Sequence, residues 1–108
     1  MTLYLLNSTI LTNYGLWRFS GPLASAEARA LLGRAGRIVS AIGHAASAQL
    51  LGEVLEREIP VERIHTELQP GDRAIVLRLL KRLPEGRVLN AAELRAWPHE
   101  LALLERLE

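Results

Sequence analysis

The stretch Arg37-Ile38-Val39-Ser40-Ala41-Ile42-Gly43-His44, followed by Ala45-Ala46-Ser47-Ala48-Gln49-Leu50-Leu51, decides the fold class of this chain. Its β-branched residues favour a strand, and the alanine-rich residues after them favour a helix. Gly43 lies between the two and permits a tight turn, because it has no Cβ to clash with the backbone. We therefore predict a strand over Arg37–Ile42, a turn, and a helix over Ala45–Glu58.

His44 lies at the start of this predicted helix, where the first unpaired backbone N–H groups point outward. The positive end of a helix dipole favours an anion and disfavours a protonated imidazole. The pattern therefore predicts a neutral histidine beside a phosphate group. A histidine that merely caps the helix fits the same residues, so the choice depends on other parts of the chain.

The composition is typical of one globular domain over residues 1–108. Apolar residues make up 49% of the chain and charged residues 23%. No apolar run approaches the ~20 residues that a membrane span needs, and no basic leader precedes an apolar stretch at the N-terminus. The chain contains no cysteine. We expect a cytoplasmic protein without disulfides or a membrane partner.

The charge balance narrows the possible ligands. Thirteen basic and twelve acidic side chains leave a net charge of +1. This balance argues against binding of long duplex nucleic acid, which usually requires a strongly basic surface. His44, His65 and His99 are isolated and show no metal-ligand spacing. We predict no metal, no other cofactor and no long DNA or RNA partner, whereas a small anionic ligand fits this charge.

Hydrophobic periodicity predicts the remaining elements. Further strands are expected at Thr2–Ile10, Leu16–Phe19, Val61–Leu68, Ala74–Leu80 and Leu101–Leu107. The last of these stretches also fits a helix, because leucine, alanine and glutamate are good helix formers. The sequence thus predicts an α/β domain with a mixed sheet of about five strands flanked by helices.

Turn and capping residues separate these elements. Ser25 is the expected N-cap of a first helix. Asn90, with Glu93 three residues later, forms the pattern of a capping box before a short helix. Gln69-Pro70-Gly71-Asp72 predicts a hairpin turn between two strands.

Three polar clusters follow three of the predicted strands. They are Asn7-Ser8-Thr9, Ser40 to His44, and Lys81 to Arg87. If these strands run in one direction, the clusters meet at the edge of the sheet where α/β proteins bind ligands. Hydroxyls, an imidazole, a helix N-terminus and guanidinium groups at such an edge suit a phosphate-containing ligand.

Each cluster also has a structural interpretation. Asn7 and Ser8 are common turn formers, and Arg82 and Glu85 could simply pair with each other. A metal-free phosphodiesterase needs a nucleophile, which RNA carries in its own 2′-hydroxyl. The protein then has to align the groups, stabilise charge on the phosphorane and protonate the leaving 5′ oxygen. A histidine and an arginine suffice for this chemistry.

Five different short motifs follow one another along nearly the whole chain. They are Tyr4-Leu5-Leu6-Asn7-Ser8, Leu11-Thr12-Asn13-Tyr14-Gly15, Ser40-Ala41-Ile42-Gly43-His44, Gln69-Pro70-Gly71-Asp72 and Lys81-Arg82-Leu83-Pro84-Glu85-Gly86. This set resembles the viral ring nuclease family, the type III anti-CRISPR proteins of archaeal and bacterial viruses and their cellular relatives. The resemblance implies a homodimer of a small mixed α/β domain with a ligand cleft across the interface. It also implies metal-independent cleavage of cyclic tetra-adenylate into linear di-adenylates with 2′,3′-cyclic phosphate ends, which shuts off type III CRISPR signalling.

The resemblance also implies residue roles. It makes His44 the general acid, Arg82 the stabiliser of the phosphate or transition state, and Glu85 the group that orients His44 or Arg82. The expected ligand contacts are Asn7, Ser8, Ser40, Gly43 and Lys81. Two other functions stay open: a non-catalytic cyclic-oligonucleotide or DNA-binding regulator, and a structural or interaction protein.

Overall fold

The computed structural model describes residues 2–108 as a five-stranded sheet with three helices. The strands are β1 (Thr2–Leu6), β2 (Trp17–Leu23), β3 (Arg37–Ser40), β4 (Arg73–Leu79) and β5 (His99–Arg106). The helices are α1 (Ser25–Arg34), α2 (Ala45–Leu55) and α3 (Ala91–Ala96). This architecture confirms the predicted small α/β domain with a mixed sheet. In the described part of the chain, no helix has the length and apolar character needed to cross a bilayer.

The strands lie in the order β2-β5-β4-β1-β3. β1 pairs in parallel with β3 and with β4, whereas β5 pairs antiparallel with β4 and β2. The carboxyl ends of β1, β3 and β4 therefore lie at one edge of the sheet, which we call the carboxyl edge. Leu6 ends β1 opposite Val76, and β4 continues to Leu79. β4 thus projects about 10 Å beyond the end of β1 at this edge.

The main core lies between the three helices and one face of the sheet. Alternate strand residues, such as Leu3 and Leu5 of β1 and Ile75 and Leu77 of β4, pack there against buried side chains of the helices. The buried helix residues include Ala28, Leu31, Leu32, Ala48, Leu51, Val54, Leu55 and Leu94. These helix residues recur at the spacing of one helix face, and they pack in one cluster with the strand residues.

The opposite face of the sheet carries no helix. Its buried residues Leu6, Val76 and Leu104 cluster with Leu68, which is fully buried although it belongs to no strand or helix. The predicted strand Val61–Leu68 is wrong, because these residues pair with no strand. We call residues 60–68, which run from near the start of α2 to this helix-free face, the crossing segment.

The crossing segment is attached by separate hydrogen bonds instead of a sheet ladder. Near one end the Glu62 N–H donates to the Ile42 carbonyl, and near the other the Leu68 N–H donates to the Thr12 hydroxyl. Its apolar and polar residues alternate with the period of a strand, but residues 61–65 are all exposed and Leu68 is the buried one. The turn Gln69–Asp72 forms, with the Asp72 N–H donating to the Gln69 carbonyl, but it joins this segment to β4 and makes no hairpin.

Several boundaries differ from the predictions. β1 ends at Leu6 instead of Ile10, and β3 ends at Ser40 instead of Ile42. β2 spans Trp17–Leu23 and continues beyond the predicted end at Phe19, because its pairing with β5 persists past a register shift.

The helix boundaries also differ in part. Ala24, and not Ser25, is the N-cap of α1, and its backbone N–H donates to the Glu27 carboxylate. α2 ends at Leu55 instead of Glu58, because Glu56 adopts the left-handed conformation (φ 57°) that terminates a helix. The capping box of Asn90 and Glu93 at α3 is confirmed.

Leu68 of the crossing segment covers the face of the sheet that carries no helix, and its contribution to stability can be tested. Replacing Leu68 by alanine removes a fully buried side chain, and we expect the free energy of unfolding to fall by about 2–5 kcal/mol. Val61→Ala in the same segment is the control, because Val61 is 47% exposed and its loss should change stability by less than about 0.5 kcal/mol. Urea titrations of both variants measure this difference, and equal effects would contradict the proposed seal.

Candidate functional site

The carboxyl edge brings together the polar clusters that follow β1, β3 and β4. Asn7 follows β1 and is half-buried, and Ser8 beside it is exposed. His44 follows the turn after β3, and Lys81 and Arg82 follow the end of β4. The three strands run in the same direction, as the meeting of these clusters requires, because β1 pairs in parallel with both β3 and β4.

His44 caps α2 with its backbone and leaves its side chain outside the helix. Its conformation is extended (φ −122°, ψ 129°), and its carbonyl accepts the first helical hydrogen bond from Ala48 at 3.0 Å. Within the described chain its imidazole makes no capping hydrogen bond, and the residue is exposed. The ring is therefore available to a ligand at the positive end of an eleven-residue helix.

The turn before His44 is tied to the crossing segment by three hydrogen bonds. The Ser40 hydroxyl donates to the Pro60 carbonyl at 2.7 Å, and the Glu62 N–H donates to the Ile42 carbonyl at 3.0 Å. Ser40 is 7% exposed, and its oxygen also accepts from the Ile42 N–H at 3.4 Å. The Ser40 hydroxyl, predicted as a ligand contact, is thus used to hold the turn.

The third bond comes from Arg63, whose Nε–H donates to the Gly43 carbonyl at 3.0 Å. A Cβ on Gly43 would lie 3.2 Å from Cγ of Arg63. The glycine is therefore explained by this close approach, since its φ lies outside the left-handed region. Arg63 is exposed, and its guanidinium is bound to the residue that precedes His44.

Arg63 is not among the predicted site residues. It lies in the stretch Val61–Leu68 that was expected to be a strand, and no local motif surrounds it. Only the path of the crossing segment brings its guanidinium to the start of α2. The edge then carries the His44 imidazole and, bound to the residue before it, a guanidinium; an imidazole and a cation are the groups that phosphodiester cleavage uses.

Arg82 and Glu85 pair with each other in the loop after β4. Nη2 of Arg82 lies 2.7 Å from Oε1 of Glu85, and their side chains are 86% and 83% exposed. An exposed pair of this kind contributes about 0–1 kcal/mol, so a phosphate can compete for the guanidinium. Glu85 was predicted to orient either His44 or Arg82, and the contact that the structure shows is with Arg82.

A groove runs beside His44 between α2 and the residues that follow this loop. Its volume is about 690 Å³, within the range of small-molecule sites. Ala45, the first helical residue after His44, lines it together with the apolar side chains of Val61 and Val88. Glu53 and Glu56 lie along it at the other end of α2. The groove therefore has apolar walls, and its end remote from His44 carries both acidic and basic side chains, among them the pair of Glu53 and Arg95.

No group of three or more histidine, aspartate and glutamate side chains suited to a metal ion occurs among residues 2–108.

Comparison with known proteins assigns the family. The sequence profile of the STIV B116-like family matches residues 3–101. The chain belongs to the STIV B116-like family. B116 of Sulfolobus turreted icosahedral virus has the same fold, with a TM-score of 0.77 over 97% of this chain and 98% of that one, at 18% identity.

Other relatives of this STIV B116-like protein are also viral. Uncharacterized protein ORF117 of Acidianus two-tailed virus is 42% identical over 73 residues, which are 67% of this chain and 62% of that protein. Uncharacterized protein 26 of Sulfolobus islandicus filamentous virus is 40% identical over 57 residues, 53% of this chain and 48% of that protein. The chain thus matches about half to three fifths of the length of these relatives. The resemblance to viral proteins is confirmed, whereas ring nuclease activity stays a prediction.

The role of Ser40 can be separated from ligand contact. Ser40→Ala removes the hydroxyl that binds the Pro60 carbonyl, so we expect the free energy of unfolding to fall by about 1 kcal/mol. Ser20→Ala, at an exposed serine of β2, should change it by less than about 0.5 kcal/mol. Thermal and urea unfolding measure both. Lower ligand affinity at unchanged stability would instead show that the Ser40 hydroxyl contacts the ligand.

Proposed function

We propose that this protein is a metal-independent ring nuclease that cleaves cyclic tetra-adenylate into linear di-adenylates with 2′,3′-cyclic phosphate ends. The observation that carries the proposal is the imidazole of His44 at the start of α2, which is exposed and makes no capping hydrogen bond. The Arg63 guanidinium is bound to the residue before it. The loop containing Arg82 follows β4 at the same edge of the sheet. The resemblance of the surrounding motifs to viral ring nucleases supports the same function.

The reaction needs little from the protein beyond these groups. The 2′-hydroxyl of one adenosine attacks the adjacent phosphorus, and the bond from phosphorus to the 5′ oxygen breaks. His44 donates a proton to that departing oxygen. Arg63 and Arg82 hold the phosphate and stabilise the negative charge that develops on the phosphorane, together with the N–H groups at the start of α2.

Glu85 restrains Arg82 before the ligand binds. Its carboxylate is the present partner of the guanidinium, and a phosphate displaces one oxygen of this pair at small cost because both groups are solvated. Glu85 thus acts on the position of Arg82 and not on the imidazole. Lys81 adds a positive charge at the start of the same loop.

The groove beside His44 suits an adenine base better than a phosphate. Its walls include Val61 and Val88, which offer apolar surface to a purine ring. At its other end Glu53 is paired with Arg95, which also lines the groove, so this end has no strong excess of either charge. The ring of phosphates is therefore expected at the carboxyl edge, with one base directed into the groove.

The ligand also accounts for a homodimer with a shared cleft. Four equivalent nucleotides in a ring contain a twofold axis, which matches that of an isologous dimer with two His44 side chains. Exposed apolar side chains of Ile10, Leu11 and Ile64 lie in the segments that flank the edge and supply contact surface for a second copy. Each protomer then makes one of the two cuts.

The viral relatives suggest the setting. A viral protein that destroys the messenger of type III CRISPR defence in the host cytoplasm acts in immune evasion, because effectors that depend on the messenger lose their activator.

Substitution of His44 tests the mechanism directly. His44→Ala removes the general acid, so we expect cleavage of labelled cyclic tetra-adenylate to slow by at least about 10²-fold, as for loss of a general acid. Binding should persist, because the helix N-terminus and both arginines remain. Arg82→Ala should weaken binding and turnover together.

The controls separate this mechanism from the alternatives. His65→Ala removes another exposed histidine and should cleave at the wild-type rate. The activity should survive excess chelator and should disappear when the 2′-hydroxyls of the ligand are replaced by hydrogen. Binding of the ligand by the wild-type protein without any cleavage would make it a sensor, and wild-type turnover by His44→Ala would reduce His44 to a helix cap.

The dimer is tested separately by light scattering at micromolar concentration. We expect twice the monomer mass of 12.0 kDa, with and without cyclic tetra-adenylate. Ile64→Asp places a charge on the proposed contact surface and should shift the mass toward the monomer. Ile64→Val, which keeps the apolar surface, is the matched control. A monomer mass for the ligand-bound wild type would rule out the shared cleft.

A further inference from the structure

The loop that contains Arg82 and Glu85 is attached to the end of α3 at its start. The indole Nε1–H of Trp97 donates to the Lys81 carbonyl at 2.8 Å, and the Leu80 N–H donates to the Pro98 carbonyl at 3.0 Å. Nζ of Lys81 also lies 5.2 Å from the centre of the Trp97 ring. These contacts hold the two residues that immediately precede Arg82.

α3 also contacts the other end of this loop. Arg87 forms an ion pair with Glu93, which at the same time completes the capping box of α3 with Asn90. Trp97 is half-buried and packs against the main core, as does Leu83 in the middle of the loop. Both ends of an otherwise exposed loop are therefore bound to one short helix that is itself anchored in the core.

The need for such an anchor follows from the strand lengths. β4 extends three residues beyond its register with β1, so the loop begins outside the parallel part of the sheet. The side chains of Arg82 and Glu85 contact only each other among the ion pairs and hydrogen bonds of residues 2–108. The backbone just before Arg82 is consequently what sets where its guanidinium can reach.

We infer that Trp97 is a positioning residue, which fixes the backbone at Lys81 and thereby places Arg82 on the phosphate; this inference rests on the proposed ring nuclease activity. Trp97 touches no reacting atom. Its indole bond and ring contact restrict the loop before the ligand arrives, so the protein does not have to order the loop during the reaction. A misplacement of about 1 Å in such a group can cost as much as 10² in rate.

Trp97→Phe is the decisive variant, because it removes the N–H donor and keeps an aromatic ring, although a smaller one, against the core. We expect turnover of cyclic tetra-adenylate to fall about 10-fold. In a background of Arg82→Ala, measured in single-turnover reactions, the same substitution should change the rate by less than about twofold, since the residue it positions is absent. In a background of His44→Ala the full decrease should remain.

Trp17→Phe is the matched control. Trp17 also donates its indole N–H to a backbone carbonyl, that of Asn13 at 3.2 Å, but it lies on the helix-free face in β2. We expect wild-type turnover from this variant. Hydrogen–deuterium exchange supplies a second readout that needs no activity: exchange over residues 80–87 should increase in Trp97→Phe and not in Trp17→Phe.

The outcomes distinguish this inference from the proposed function. Equal decreases for Trp97→Phe in the wild-type and Arg82→Ala backgrounds, or unchanged turnover in the wild-type background, would overturn the positioning role while leaving the ring nuclease intact. If the wild-type protein does not cleave the ligand, the proposed function fails and the catalytic role of Trp97 fails with it. Unchanged exchange over residues 80–87 would overturn the anchor in every case.

Discussion

The parallel pairing of β1 with β3 and with β4 is the constraint on which the site depends. It directs three chain segments toward the same edge, so that Asn7, His44 and Arg82 follow strands with a common direction. β5 is antiparallel to its neighbours and brings its amino end, with Trp97 just before it, to the edge where β4 ends. The antiparallel strand β5 thus places Trp97 near the end of β4, at the edge where the parallel strands place the other candidate residues.

The crossing segment of residues 60–68 links stability to the site. At one end Ser40, Glu62 and Arg63 fix the turn that precedes His44, and at the other end Leu68 seals the helix-free face. Because the segment has no sheet ladder, its position depends on a few side-chain and backbone bonds. One segment therefore both supplies the guanidinium bound before His44 and covers the helix-free face of the sheet.

His44 and Arg82 lie on two sides of the candidate site and are held by different kinds of contact. His44 begins an eleven-residue helix packed on the main core, so its position is set by extensive burial. Arg82 lies in an exposed loop that α3 holds at both ends. Under the proposed mechanism, a proton donor on a packed helix and a cation on an anchored loop would act on the same phosphate. The viral members of the STIV B116-like family offer natural variants in which to compare these two halves.

The sequence by itself determined the elements whose signals are local. Gly43 between β-branched and alanine-rich residues predicted the strand–turn–helix unit, and Asn90 with Glu93 predicted the start of α3, because turns and caps depend on neighbouring residues. Only the tertiary structure decided features that depend on distant pairing. β5 is a strand because two neighbours bond to it despite its helix-forming residues, whereas Val61–Leu68 is not a strand because no neighbour does. Arg63 joined the site for the same reason, since side-chain period records an extended chain but not which partner lies beside it.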